Sequence, residues 1–179
     1  MACNSLTLLA RECGKNTKTG VRDEVYLLAY TDADVISGTT EVFAVSSGNT
    51  ISNINLASGG TKFVKYGAVK EQNSIKEDYT YNDNGTYDIQ KTLTFTLTNV
   101  GSVAAKTAVE NLVAAPVIAL VKLKNGVWVV FGLNGQFQAK TVAGEVSSAA
   151  NGRVITLSGS DTEFLQIVDP SLIASIVTL

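Results

Sequence analysis

From Tyr87 to Thr98 the chain alternates with a period of two: Ile89, Leu93, Phe95 and Leu97 fall on one side, and Gln90, Thr92, Thr94, Thr96 and Thr98 on the other. That period, with β-branched residues on the polar side, predicts a strand buried on one face. The segment before it, from Val69, fits as its partner when the chain folds about Asp83-Asn84-Gly85. Tyr81 then opposes Tyr87, Tyr79 opposes Ile89, Glu77 opposes Lys91 and Ile75 opposes Leu93, which makes one coherent face. The other face pairs Thr80 with Asp88, Asp78 with Gln90, Lys76 with Thr92 and Ser74 with Thr94. A two-residue loop at Asn84-Gly85 would set Ile75 against Thr94 and destroy the match, because a slip of one residue turns every side chain over. The expected turn is therefore a three-residue loop with Gly85 in the left-handed position.

The same reading predicts strands at Glu24–Thr31, Val42–Val45, Ile51–Leu56, Thr61–Tyr66, Val117–Leu123, Val127–Phe131, Gln136–Val142, Arg153–Leu157 and Phe164–Val168. Asp32-Ala33-Asp34 and Gly159-Ser160-Asp161 read as turns. Asn125-Gly126 reads as a two-residue hairpin turn that pairs Leu123 with Trp128 and Val121 with Val130. Both faces of that hairpin are apolar, so it should lie centrally. After Asn99 the period becomes helical, with Val103, Lys106, Thr107, Glu110, Val113 and Ala114 among alanines. A helix over residues 102–114, started by Gly101-Ser102 and stopped by Pro116, is expected. Residues 1–20 read as an N-terminal arm, 21–169 as the domain, and 170–179 as an apolar tail that should dock on its own domain or on a neighbour. The fold class is mainly β: a small antiparallel β-barrel or sandwich with one flanking helix and a long protruding hairpin.

Composition narrows the function. With 45% hydrophobic and 17% charged residues among 179, and 15 Gly against 2 Pro, the chain is a globular β protein rather than a disordered one. The net charge of -2 provides no field to draw nucleic acid or an anionic membrane. The most apolar run, Leu112 to Val121, contains Pro116 and falls well short of the ~20 residues a membrane helix needs. Met1 to Ala10 lacks the basic start and the apolar length of a secretory signal. There is no histidine, which excludes Ser-His-Asp and Cys-His catalytic devices. Cys3 and Cys13, reduced or joined in a disulfide, fall short of a four-ligand zinc site. Asp32 with Asp34, and Asp78 with Asp88, adjoin turns where Asp is common for local hydrogen-bond reasons. No glycine series of the phosphate-binding kind is present. The threonine row reads as the outward face of a strand, since a regular hydroxyl lattice would need the row repeated on neighbouring strands. No catalytic residue, cofactor or metal is expected. The hairpin is the main functional signal, because two strands extending beyond a body gain little stability alone and should lie against another chain.

The order of elements, with the hairpin Val69–Thr98, the helix at 102–114, the hairpin around Asn125-Gly126 and the closing segment Arg153 to Gly159, resembles the tail-tube proteins of bacteriophages and related injection machines. The resemblance spans roughly Tyr26 to Val168. It implies a virion structural protein, made in the host bacterial cytoplasm, whose hairpins from six subunits close a ring lined by a continuous sheet. Stacked rings would form a conduit, with other virion proteins as further partners and DNA as non-specific cargo. Ile75, Glu77, Tyr79, Tyr81, Tyr87, Ile89, Lys91 and Leu93 then form the candidate assembly face, and Asp78, Thr80, Asp88 and Gln90 the candidate lumen face, where Lys70 and Lys76 oppose the acidic tendency. The alternatives are another virion subunit (neck, head-completion or capsid-decorating) or a monomeric β-sandwich module for binding or adhesion. On this reading, deleting Glu77 to Lys91 should leave a folded body that no longer assembles.

Overall fold

Leu93, Phe95 and Leu97 stand two residues apart on one strand and need a second apolar layer to cover them. Val25 and Leu27, Val117, Ala119 and Val121, and Val129 and Phe131 provide it, so two sheets pack face to face around these side chains. The computed structural model describes residues 20–46, 48–59, 61–69, 72–98, 101–146 and 151–178. The N-terminal arm with Cys3 and Cys13, as well as Lys70, lies outside the described residues.

The strands are β1 (Val21–Ala29), β2 (Phe43–Val45), β3 (Ile51–Ile54), β4 (Val64–Gly67), β5 (Ser74–Tyr81), β6 (Tyr87–Thr98), β7 (Val117–Leu123), β8 (Trp128–Phe131), β9 (Gln138–Val146), β10 (Asn151–Asp161) and β11 (Gln166–Val168). The helices are α1 (Val103–Ala114) and α2 (Pro170–Ile176). A seven-stranded sheet runs β2-β3-β11-β8-β7-β1-β4, and a four-stranded sheet runs β5-β6-β10-β9. Neither sheet closes, so the fold is a β-sandwich and not a barrel. The large sheet has a second apolar layer on its far side, where Tyr26, Leu28, Ile118, Leu120, Trp128 and Val130 meet Ile51, Phe63, Ile176 and Val177. Strand β7 is thus buried on both faces, as the apolar pattern of its hairpin requires. Within the large sheet, β3 and β11 meet through one parallel bridge, Val168 to Ile51, backed by a hydrogen bond from the Asp169 N–H to the Ile51 carbonyl at 2.9 Å.

Ser102 caps α1, its Oγ accepting from the Ala105 N–H at 3.0 Å. The buried face of this helix is Val109 and Leu112, whereas Val103 and Val113 of the sequence stripe point outward. The tail forms a second helix rather than a free end. Asp169 caps it and Pro170 sits in its first turn. Ile176 and Val177 bury themselves in the outer layer, and the Phe63 N–H donates to the Ile176 carbonyl.

Three expectations change. The hairpin is not a free projection, because β6 pairs with β10 from Thr98 opposite Gly152 to Ile89 opposite Asp161. Only the tip beyond Ile89 extends past that ladder. The β7–β8 register is shifted by one residue, with Lys122 opposite Trp128 and Val121 opposite Val129. Asn125 does not adopt the left-handed backbone that a two-residue turn demands; Gly126 alone does, at φ 96°, and Asn125 Oδ1 accepts from the Val127 N–H instead. The three-residue loop that results keeps Val121 and Val129 together in the core between the sheets. Finally, Gly159-Ser160-Asp161 is not a turn but the end of β10, opposite Lys91, Gln90 and Ile89. Gly159 is there for space. A Cβ would stand 2.5 Å from the Gln136 carbonyl oxygen and 2.8 Å from the Phe137 Cα.

Two outcomes follow from this packing. Gly159→Ala should destabilise the fold by about 1–3 kcal/mol through overpacking, read as a lowered thermal midpoint. Deleting Glu77 to Lys91 removes Ile89 and Lys91 from the buried set, so circular dichroism should show loss of the fold itself, not merely loss of assembly.

Candidate functional site

The hairpin turn forms because Asn82, Asn84 and Gly85 each satisfy a local backbone requirement. The Asn82 N–H donates to the Thr86 carbonyl at 2.8 Å, the Gly85 N–H donates to the Asn82 carbonyl at 3.0 Å, and Gly85 sits at φ 82°. Asn84 Oδ1 accepts from both the N–H and the hydroxyl of Thr86. This loop sets the register read from the sequence: Tyr81 opposite Tyr87, Tyr79 opposite Ile89, Glu77 opposite Lys91, and Ile75 opposite Leu93.

These eight residues share one face but meet three different environments. At the base, Leu93 is buried in the core between the sheets with Ile75 packed against it. In the middle, Lys91 is 1% exposed and its ammonium reaches Asp161 Oδ2 at 2.8 Å and the Phe164 carbonyl at 3.2 Å. The carboxylate of Glu77 accepts from the Leu165 N–H, but its Oε1 is buried without a hydrogen-bond partner. Burial pushes the Glu77 carboxyl above its usual range, and the Asp161 carboxylate adds to this, while the Lys91 ammonium and the Leu165 N–H oppose it. At the tip, Tyr79 stacks between Tyr87 at 5.8 Å and Phe164 at 6.1 Å between ring centroids. Glu77 and Lys91 therefore hold the Asp161–Leu165 segment from two adjacent strands, and that segment presents Phe164 to the tyrosines.

The opposite face of the small sheet carries Asp78, Thr80, Asp88 and Gln90, as the register requires. The structure adds β10 beside them. Thr156 stands opposite Thr94, Ser158 opposite Thr92 and Ser160 opposite Gln90, so neighbouring strands do repeat the hydroxyl row of β6. One row crosses all four strands as Ser74, Thr94, Thr156 and Thr141. Much of this polar inventory is satisfied within the sheet. Gln90 Nε2 donates to Ser158 Oγ at 2.6 Å, Thr94 and Thr156 share a hydrogen bond at 3.4 Å, the Ser160 hydroxyl donates to Asp88, and Lys76 pairs with Asp78 at 2.7 Å. Such a face is hydrophilic yet has few unmet demands for a ligand.

Sequence reasoning missed Asp161, Phe164, Ser158 and Ser160, all supplied by the end of β10 and the segment after it. The alternation Arg153, Ile155, Leu157 against Val154, Thr156, Ser158 continues past Gly159, and that was the available signal. Asp32 and Asp34 lie in the turn after β1, away from the hairpin register. Among the described residues no group of Cys, Asp and Glu is placed to hold a metal ion, and no helix is long and apolar enough to cross a membrane. What the arrangement offers is therefore a self-satisfied polar sheet face, two sheet edges, β5 and β9, with no further strand paired to them among the described residues, and an aromatic tip above a buried charge cluster. No family model, curated protein or solved structure matches this chain.

The charge cluster makes a testable demand. Because folding raises the Glu77 pKa, the folded state holds that proton more tightly than the unfolded chain does. Stability is therefore lost as the pH rises from the ordinary glutamate range through the folded value. Glu77→Gln, an isostere of the protonated acid, should match or exceed the parent in thermal midpoint at pH 7, with the difference closing as the pH falls to about 4. Lys91→Met, which strands two carboxylates without their cation, should cost about 3–5 kcal/mol at pH 7.

Proposed function

We propose that this chain is a structural subunit of a bacteriophage virion, similar to a tail-tube protein, that self-assembles by joining small sheets edge to edge into a ring or tube. The observation that carries this reading is the openness of the four-stranded sheet. β5 and β9 are both edge strands of considerable length, and the described chain covers neither with another strand. Long uncovered edges are templates for pairing with another chain. Edge pairing of β5 in one subunit with β9 in the next would extend the sheet without a break. The face bearing Asp78, Thr80, Asp88 and Gln90 would then become the inner wall, and its internal hydrogen bonding suits a surface past which DNA slides without adhering.

The assembly contact differs in kind from the one the sequence suggested. Ile75, Ile89, Lys91 and Leu93 are committed to the body, so the backbone edge of β5 is the joining element, and of the assembly set only the tyrosine tip remains free to touch a neighbour. Neck, head-completion and capsid-decorating subunits would share the edge-pairing logic and differ in how the array closes.

The backbone geometry supplies a direct test. The Asn82–Thr86 hydrogen bond closes the hairpin, and alternation along an antiparallel ladder then points the N–H groups of Tyr81, Tyr79, Glu77 and Ile75 towards the open edge. These amides should exchange quickly with solvent in dilute protein and become protected at concentrations where light scattering and negative-stain images show rings or stacked tubes. A chain that stays monomeric at every concentration, with those amides always exchanging, overturns the proposal.

A further inference from the structure

The core-facing side of the β5–β6 hairpin continues beyond the body that covers it. Ile89 is 1% exposed and is the last residue of this face to be buried. Past it, Tyr79, Tyr81 and Tyr87 are 52%, 66% and 49% exposed, and Phe164, which stacks on Tyr79, is itself 59% exposed. Three tyrosines on this face of the sheet, with Phe164 packed beside them, are thus left without a covering layer among the described residues, an arrangement that marks an interaction surface.

The surroundings of this patch select its partner by charge. The same end of the molecule carries the carboxylates of Glu77, Asp78, Asp83, Asp88, Asp161 and Glu163, against the ammonium groups of Lys76 and Lys91, a net charge of -4 where the whole chain carries -2. Lys76 and Lys91 are spent on Asp78 and Asp161. The unpartnered oxygen of Glu77 is buried, so the exposed carboxylates left at this end include those of Asp83 and Glu163. The negative faces of phenol rings and uncompensated carboxylates both favour a cation. A planar guanidinium serves both at once, stacking on a ring while its edge donates to a carboxylate, whereas an ammonium is a compact, strongly hydrated point charge.

We propose that the hairpin tip is a docking site for an arginine-bearing segment of another protein, with Tyr81 and Tyr87 supplying the stacking faces and Asp83 and Glu163 the anionic rim. This goes beyond the edge-pairing reading and does not depend on it, since it uses the side chains of Tyr81 and Tyr87 and not the backbone edge of β5.

The test uses the full chain with two probes of equal charge, a nona-arginine and a nona-lysine peptide, titrated at 0.15 M salt and followed by amide chemical shifts. The arginine peptide should bind about three- to tenfold more tightly than the lysine peptide, with shifts centred on Tyr79 to Tyr87 and Phe164. The double variant Tyr81→Leu, Tyr87→Leu keeps strand-compatible apolar bulk but removes both rings, and it should erase the arginine preference while circular dichroism stays unchanged. Asp83→Asn should weaken both peptides alike. Equal binding of the two peptides, untouched by the tyrosine substitutions, would mean that only diffuse charge attraction operates and would overturn the proposal. So would an absence of peptide binding together with loss of self-association in the tyrosine variant, which would assign the tip to a second copy of this chain.

Discussion

The ladder between β6 and β10 is the constraint on which the rest of the structure depends. It runs the length of the hairpin's second arm, so the segment that carries the strongest strand signal becomes an interior strand of a four-stranded sheet. Its inner side supplies Leu93, Phe95, Ile155 and Leu157 to the core between the sheets, and its outer side aligns the hydroxyls of Thr92, Thr94, Thr156 and Ser158. By pairing both sides of β6, the ladder also decides which edges remain open. Without it the hairpin would be the marginal two-stranded ribbon that sequence reasoning took it for.

The polar centre of the hairpin follows from the same pairing. Glu77 opposite Lys91 is an ordinary cross-strand pair when viewed on two strands alone. Adding β10 places Asp161 against the same ammonium and drives the group below the surface. Buried pairs of this kind are poor sources of net stability, since desolvation offsets much of the attraction. What this one provides is position. It fixes where the chain leaves the small sheet for β11 in the large one, and with that the location of Phe164 above the tyrosines.

Local turn chemistry and strand period were legible in the sequence to the level of individual pairs along β5 and β6, because register there is set by three loop residues and by side chains within the same hairpin. The β7–β8 hairpin shows the limit. Asn-Gly supports either of two loops, and the choice was made by Val121 and Val129 meeting side chains from a distant part of the chain. Gly159 failed for a related reason, since a glycine that yields space to another backbone looks the same in sequence as one that turns. Helix α1 was located correctly but its stripe was misread: Val109 and Leu112 lie on the face that meets the core, and only the fold reveals which face that is. Within the hairpin the facing pairs were legible and their β10 neighbours were not, because non-local pairing has no signature in a single strand.

The single parallel bridge between β3 and β11 divides the large sheet into unequal cooperative units. Strands β8, β7, β1 and β4 are joined by extended ladders, whereas β2 and β3 are held by the Ile51–Val168 bridge and, just past β3, by the Ala33–Leu56 bridge, where the Asp34 N–H donates to the Asn55 carbonyl and the Ala57 N–H to the Asp32 carbonyl. Opening at that seam would cost few backbone hydrogen bonds and would leave the core between the sheets intact. The β2–β3 unit therefore depends for its attachment mainly on side chains, with Val42, Ile51 and Ile54 buried in the outer apolar layer. It is also where an inserted sequence or a fused domain could be accommodated without disturbing the four-stranded sheet.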